Sequence, residues 1–420
     1  MHKRIDRPAQ AWAFYDWANS AFSTTVMAGF FPILFKQYWS AGVDAAQSSY
    51  RLGVANSLSS LVIALVAPAL GAVADAGGSR KRFLLASAVV GIVATGALFW
   101  IGSGAWTAAA VVYVIAVIGF SASMIFYDAL LIDVSTPQTS DYVSSYGFAL
   151  GYLGGGLLFA LNIVMYRMPE RFGIADGTAA ARWSFLTVAA WWAVFSIPLA
   201  RVVRERVAAA TTGRAHRTGK GLGSLADTFK HLRRYRVVFL FLIGYWFYID
   251  GVSTIVRMGI DYGLSLGFSA ATLIVALLMI QFVGFPSTIA FGRMAERIGA
   301  RAGILVAIGF YILICIWGYR IQHAWEFYVL AGGIGLAQGG INSLSRSFYS
   351  RLIPADESAQ FFGYYNLIGR FSAVLGPWVM GAVSLATGNP RLSMLALILF
   401  FIVGAGFLLR VPARAVEGAS

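Results

Sequence analysis

The sequence predicts an all-α integral membrane protein of twelve transmembrane helices in two pseudo-symmetric six-helix bundles. Three observations carry that prediction. Of 420 residues, 59% are apolar and only 12% are charged, against about 45–50% and about 25% in soluble domains. The apolar residues fall into runs long enough for lipid-spanning helices, which need roughly 20 residues each, and not into the alternating segments of a β-barrel. A loop motif in the first half also returns at identical spacing in the second, as internal repeats require.

Read against their Gly, Pro and charged breaks, the apolar runs place spans at 11–39, 50–74, 83–103, 107–134, 141–166 and 183–203, then at 237–260, 268–292, 302–320, 325–352, 358–386 and 392–410. They divide the chain into an N-terminal bundle over 1–203, a basic linker over 204–236 and a C-terminal bundle over 237–420. A net charge of +14 in a soluble protein would point to nucleic acid. Here Lys3, Arg4 and Arg7, then Arg80, Lys81 and Arg82, then the linker, then Arg293, Arg297 and Arg301 fall on one side of the spans. The positive-inside rule therefore places both termini in the cytoplasm. Within the linker, Leu225, Phe229 and Leu232 among Lys230, Arg233 and Arg234 suit a helix lying on the anionic inner leaflet. We expect a multi-pass monomer of a bacterial inner membrane, in contact with lipids and with no nucleic-acid partner. The first run is too long, and too polar at Asp16, for a cleaved signal. Cys315 lies inside a span and reads as a small packed apolar residue. His2, His216, His231 and His323 are terminal or in loops, so neither a metal site nor a cofactor is expected.

Polar residues inside the spans carry the functional reading. A lone acid at mid-membrane costs about 2.5–3.5 kcal/mol, so it belongs against protein or a water-filled cavity. Span one opens Tyr15-Asp16-Trp17-Ala18-Asn19-Ser20, and Asp16, Asn19, Ser20 and Ser23 share one helical face. Span four offers Ser121, Tyr127, Asp128 and Asp133. Asp250, Ser253, Thr254, Arg257 and Asp261 form one stripe of span seven; span ten adds Gln338, Asn342, Ser345 and Tyr349, with Arg346 a turn from Asn342; span eleven adds Asn366 and Arg370. Carboxylates and guanidinium groups around one cavity can hold both ends of a zwitterion. They can equally neutralise one another: Arg257 and Asp261 suit a fixed pair, and Asp133 and Arg346, near span ends, suit gates or inter-bundle bridges. The candidates for a substrate or proton pathway are Asp16, Asn19, Ser23, Asp128, Asp250, Thr254, Arg257, Gln338, Asn342 and Arg370. Trp12, Tyr15, Trp17, Trp246 and Tyr248 flank the acids, either as interface anchors or as rings for an organic cation.

The repeated loop reads Gly71-x-x-x-Asp75-x-x-Gly78-x-Arg80-Lys81 and, later, Gly292-x-x-x-Glu296-Arg297-x-Gly299-x-Arg301. Glycine allows a tight turn, the acid can face the amino end of a neighbouring helix, and the bases stay in water. This doubled gating motif resembles the signature loop of the major facilitator superfamily, with Ala76 where a base is usual. The resemblance implies two six-helix bundles that rock about a central site lined by spans one, four, seven and ten. Within that superfamily, the Tyr15 to Ser20 stretch resembles the vacuole-effluxer-like group. Further matches are Val143-Ser144-Ser145-Tyr146-Gly147 leading to Gly151-Tyr152-Leu153-Gly154-Gly155, Asp250-Gly251, Gln338-Gly339-Gly340, Ser345-Arg346-Ser347 and Gly376-Pro377. The group's fungal members are implicated in amino-acid release from the vacuole. Many proton-coupled facilitators carry an Arg in span four, which is absent here, and Tyr152 follows Gly151 where the antiporter signature has Pro.

The expected function is therefore secondary transport of a small polar organic solute, an amino acid or short peptide, by alternating access, with protons as a candidate coupling ion. A non-transporting sensor or scaffold and a lipid-moving facilitator are the competing readings. An enzyme is not expected, because no nucleophile stands with a base and no phosphate-cradling loop carries a Lys. Gly333, Gly335 and Gly339 lack the strand of a dinucleotide fingerprint and read as close helix packing.

Overall fold

The computed structural model describes residues 5–43, 80–205 and 235–412, less 267, 269, 373, 374 and 388, together with 51, 55, 58, 62, 63, 70, 71 and 74. Among these residues there is no strand. The first helix, α1 (Arg7–Ala21), is started by Asp6, whose carboxylate accepts the Ala9 N–H at 3.0 Å, with Pro8 in the first turn. It continues unbroken through a π-helical stretch at Phe22–Phe30, an α turn at Phe31–Leu34 and a second π stretch at Phe35–Trp39. The rest of the first half is α2 (Arg80–Ala97), α3 (Trp106–Ala129) with a further turn at Leu131–Val134, α4 (Ser140–Arg167) and α5 (Gly177–Val202). The second half holds α6 (Arg236–Ser265), α7 (Ala270–Ile298), α8 (Ala300–Arg320), α9 (Ala324–Ser350), α10 (Ser358–Phe371) and α11 (Leu375–Thr387). A short turn at Pro390–Ala396 then leads into α12 (Ile398–Leu409).

These helices fall on eleven predicted spans, and the positions described between 51 and 74 are helical too. Nine of the described segments are long and apolar enough to cross a membrane. Large apolar side chains such as Val93, Leu157, Leu313 and Leu399 stand exposed on outer faces, where lipid replaces water. Helices overrun the predicted ends where charge marks the edge of lipid without ending the helix: α7 continues through Arg293 and Arg297 to Ile298. Span eleven is described as two helices, one ending at Phe371 and the next beginning at Leu375. Linker residues 206–234, including the expected interfacial helix around Leu225, Phe229 and Leu232, lie outside the described residues.

Within the first half α1 packs on α4 and α5, and α2 on α3; within the second, α9 packs on α7 and α8, and α6 on α12. The halves meet through α4 against α7 and α9, and α3 against α10. Both described chain ends lie on one face. The Trp12 indole of α1 donates to the Tyr127 carbonyl at the end of α3, and Arg301 at the start of α8 reaches the Val411 carbonyl. A Cβ on Gly292 near the end of α7 would stand 3.4 Å from the Asp141 carbonyl at the start of α4. We call this the terminal face.

Candidate functional site

Asp16 sits two turns into α1 and is 4% exposed. Its room comes from α4, where a Cβ on Gly151 would stand 2.6 Å from Ser20 Oγ and 3.1 Å from Asp16 Oδ1. Ser20 Oγ donates to Oδ1 at 3.4 Å, and the Tyr127 hydroxyl of α3 donates to Oδ2 at 3.2 Å. The same Oδ2 lies 3.8 Å from Nη1 of Arg346, which reaches across from α9 and is 1% exposed.

Arg346 binds more tightly to Asp128, donating from Nη1 to Oδ1 at 3.1 Å. Its other donors go to Ser144 of α4, Nε to the hydroxyl at 2.9 Å and Nη2 to the carbonyl at 2.9 Å. The guanidinium carbon lies 4.2 Å from the Phe148 ring centre and 4.8 Å from that of Trp12, within cation–π range. Asn366 of α10 donates to the second Asp128 oxygen at 3.1 Å. One guanidinium from the second half thus serves two carboxylates of the first, and with both ionised the triad carries one negative charge.

A cavity of about 390 Å³ adjoins the triad. Asp16, Asn19, Ser20 and Ser23 line it from the first helix, Tyr152 from α4, Gln281 from α7, and Gln338 and Asn342 from α9. Phe120, Phe148 and Phe159 add aromatic wall. A second cavity of about 310 Å³ shares Gln338 and Asn342 and extends along Tyr245, Ser253 and Asn366. Among the described lining residues there is an acid and no cationic side chain.

Five predicted pathway residues therefore come together in one cavity: Asp16, Asn19, Ser23, Gln338 and Asn342. Asp128 lies beneath them as partner of Arg346. Asp250 and Thr254 line neither cavity, which corrects their place among the pathway candidates. They share a face as predicted, with Thr254 Oγ1 donating to Asp250 Oδ1 at 3.3 Å. That face abuts Gly376, whose N–H donates to the same oxygen at 2.9 Å. The second cavity instead receives Ile249, Val252, Ser253 and Val256 of α6, and the Asp16 cavity only Val256. The side chains of Arg257 and Arg370 lie outside what is described. Gln281, Thr24 and Phe148 escaped the sequence reading. Gln281 was findable as a lone carboxamide in an apolar run, whereas Phe148 is indistinguishable by type from packing residues.

The gating motif is partly visible. Asp75 and Gly78 lie outside the described residues. A Cβ on Gly71 would overlap the Ala359 carbonyl of α10, so glycine there permits close approach between the halves. Arg80 donates to Asp133 at 3.3 Å and to the Ala355 carbonyl at 2.9 Å, again across the halves. In the second copy, Gly299 adopts φ +85° at the turn into α8, Gly292 packs on Ser145, Arg301 ties down Val411, and Glu296 and Arg297 are exposed.

A family profile described as "Vacuole effluxer Atg22 like" matches residues 40–417. The chain is 36% identical over 414 residues to the uncharacterized MFS-type transporter YxiO of Bacillus subtilis, covering 98% of this chain and 96% of that protein. Autophagy-related protein 22 of Yarrowia lipolytica is 28% identical over 65% of this chain, which spans about half (51%) of that protein's length. The structure of the proton:xylose symporter XylE bound to 6-bromo-6-deoxy-D-glucose superposes with a TM-score of 0.76 at 14% identity, covering 97% of this chain and 96% of that one. That likeness shows the fold, the twelve-helix major facilitator architecture expected from the repeat. The chain belongs to the vacuole effluxer Atg22 like family of major facilitator superfamily transporters.

Proposed function

We propose that this protein is a secondary transporter for a small organic solute bearing an ammonium group, of the amino-acid or short-peptide kind, working by alternating access in a bacterial inner membrane. The observation that carries this reading is Asp16, an acid lining a polar cavity while it shares one guanidinium with Asp128. Its surplus charge suits an ammonium group. A proton can take that place when solute is absent, so proton and solute exchange at Asp16 and the two fluxes are coupled. The resemblance to the vacuole-effluxer-like group, whose fungal members are implicated in amino-acid release, supports the substrate kind, and the distribution of Lys and Arg supports cytoplasmic termini.

The test is uptake of labelled amino acids and short peptides by proteoliposomes, with and without a pH gradient. Asp16→Asn keeps the shape of the side chain and removes the charge. We expect it to abolish gradient-driven uptake while the melting temperature of the purified protein stays within a few degrees. Uptake by Asp16→Asn at the native rate would exclude Asp16 from the pathway.

A further inference from the structure

Two residues that line the cavity from different halves each carry a buried polar atom with no hydrogen-bond partner among the described residues: Asn19 Nδ2 on α1 and Gln338 Oε1 on α9. Their neighbours are engaged. Gln281 Nε2 donates to Thr24 at 3.1 Å, Asn342 Nδ2 to the Gln338 carbonyl at 2.9 Å, and Asn366 Nδ2 to Asp128. Buried polar groups left unpaired are rare and call for an explanation. One spare donor and one spare acceptor, contributed by different halves, match the carbonyl and the N–H of a ligand amide. Exchanging the ends of both carboxamides together preserves the match, because each offers both functions.

We propose that the solute is a short peptide with a free amino terminus, its ammonium group on Asp16 and its first peptide bond held between Asn19 and Gln338. This rests on the reading of the cavity as the solute site. Asn19 lies three residues beyond Asp16, a rise of about 4.5 Å along the helix, close to the roughly 3.8 Å repeat of a peptide chain. A free amino acid fits less well. Its carboxylate, one carbon from the ammonium group, would stand beside Asp16 and face the Gln338 acceptor, with no cationic side chain among the described lining residues. A peptide carries its carboxylate at least one residue further off. The two adjoining cavities, about 390 and 310 Å³, leave room for more than one residue, and the phenylalanine wall suits an apolar side chain. Asn19 and Gln338 belong to different halves, so a peptide amide held by both would also link binding to the approach of the bundles.

The experiment is calorimetric titration of the purified full chain with phenylalanyl-alanine, its ester analogue with oxygen in place of the peptide N–H, and free phenylalanine. The dipeptide is expected to bind at least about tenfold more tightly than either of the others, the loss that follows when a buried acceptor goes unmatched. Gln338→Met and Asn19→Leu should each reduce the ratio of dipeptide to phenylalanine affinity severalfold, with melting temperatures reporting that they fold. Equal binding of dipeptide and ester by the native chain overturns the inference without any variant. So does phenylalanine binding as tightly as the dipeptide, or no binding of any of the three. The transport reading stands or falls separately, on flux through Asp16→Asn.

Discussion

Arg346 shows what one side chain does when two halves of a membrane protein must be held together and still come apart. Its planar fork reaches Asp128 and two Ser144 oxygens at once while its face lies on Phe148. Lysine has the charge but not the fork or the face. Removing one partner of a buried ion pair costs about 3–5 kcal/mol, because the other charge is left uncompensated. Arg346→Ala should therefore lower the melting temperature sharply, Arg346→Lys should recover only part of it, and Asp128→Asn added to Arg346→Ala should recover more than Lys does. Thermal melts of the four proteins check the ordering; an Arg346→Ala melt equal to the native one would mean that the triad contributes nothing to the fold. Of this site, the acids were legible because each is anomalous in an apolar run. The pairing was not, since Asp128 and Arg346 lie 218 residues apart and a single sequence holds no record of which distant residues meet. Asp250 misled for a related reason. Helical spacing gives the residues that share its face, but not which neighbour that face meets, here Gly376.

At the scale of the element, α4 sets the depth of the cavity by what it lacks. Gly151 leaves space for Asp16 and Ser20, whereas a Cβ on Gly154 would stand 2.7 Å from the Trp17 carbonyl and from its ring. The two glycines look alike in sequence and differ in what they adjoin: mobile side-chain ends in one case, backbone and a wide ring in the other. Overpacking costs about 1–3 kcal/mol when the neighbours cannot yield. Gly154→Ala should therefore lower the melting temperature by several degrees as α1 and α4 are forced apart. Gly151→Ala should change the melt little and weaken solute binding about tenfold by displacing Asp16. Melting and titration of the two variants, compared side by side, separate these outcomes; identical behaviour would contradict the packing described here. The helices themselves were largely legible, since lipid length and the absence of charge leave few alternatives. The π-helical stretches at Phe22–Phe30 and Phe35–Trp39 were not. A wider turn carries no composition of its own, and it alters which side chains after Ser20 look inward.

For the whole molecule, the bonds between halves gather toward the terminal face. Arg346 holds Asp128, Arg351 holds Asp141 at 2.8 Å, and Ser347 Oγ donates to Asp141 at 2.6 Å. Ser144 Oγ donates to the Ser343 carbonyl at 2.8 Å, and Arg80 reaches Ala355. The cavity lies further along α1, on the far side of Arg346 from this face. The contacts between the halves thus close the structure toward the chain ends. Alternating access requires these contacts to break as a set, so the stability of the closed state depends most on the pair least exposed to water. The Arg351–Asp141 pair, with side chains 16% and 11% exposed, is the more open of the two to screening by solvent, while the Arg346–Asp128 pair, at 1% and 6%, is screened less. A bias of about 2.7 kcal/mol would hold an opened state near one per cent, since each 1.4 kcal/mol is roughly a tenfold change in an equilibrium. Asp128→Asn, by weakening the buried pair by a comparable amount, should bring the two states toward equal population. Spin labels on cysteines at Gln138 and Asp356, exposed on opposite halves, would read this as a second, longer distance. The background is simple because Cys315 is the chain's only cysteine and is buried, so Cys315→Ser removes it. Arg351→Ala should leave the distance distribution close to native. If Arg351→Ala opens the face and Asp128→Asn does not, the less deeply buried pair is the latch and the Arg346 triad serves the solute alone.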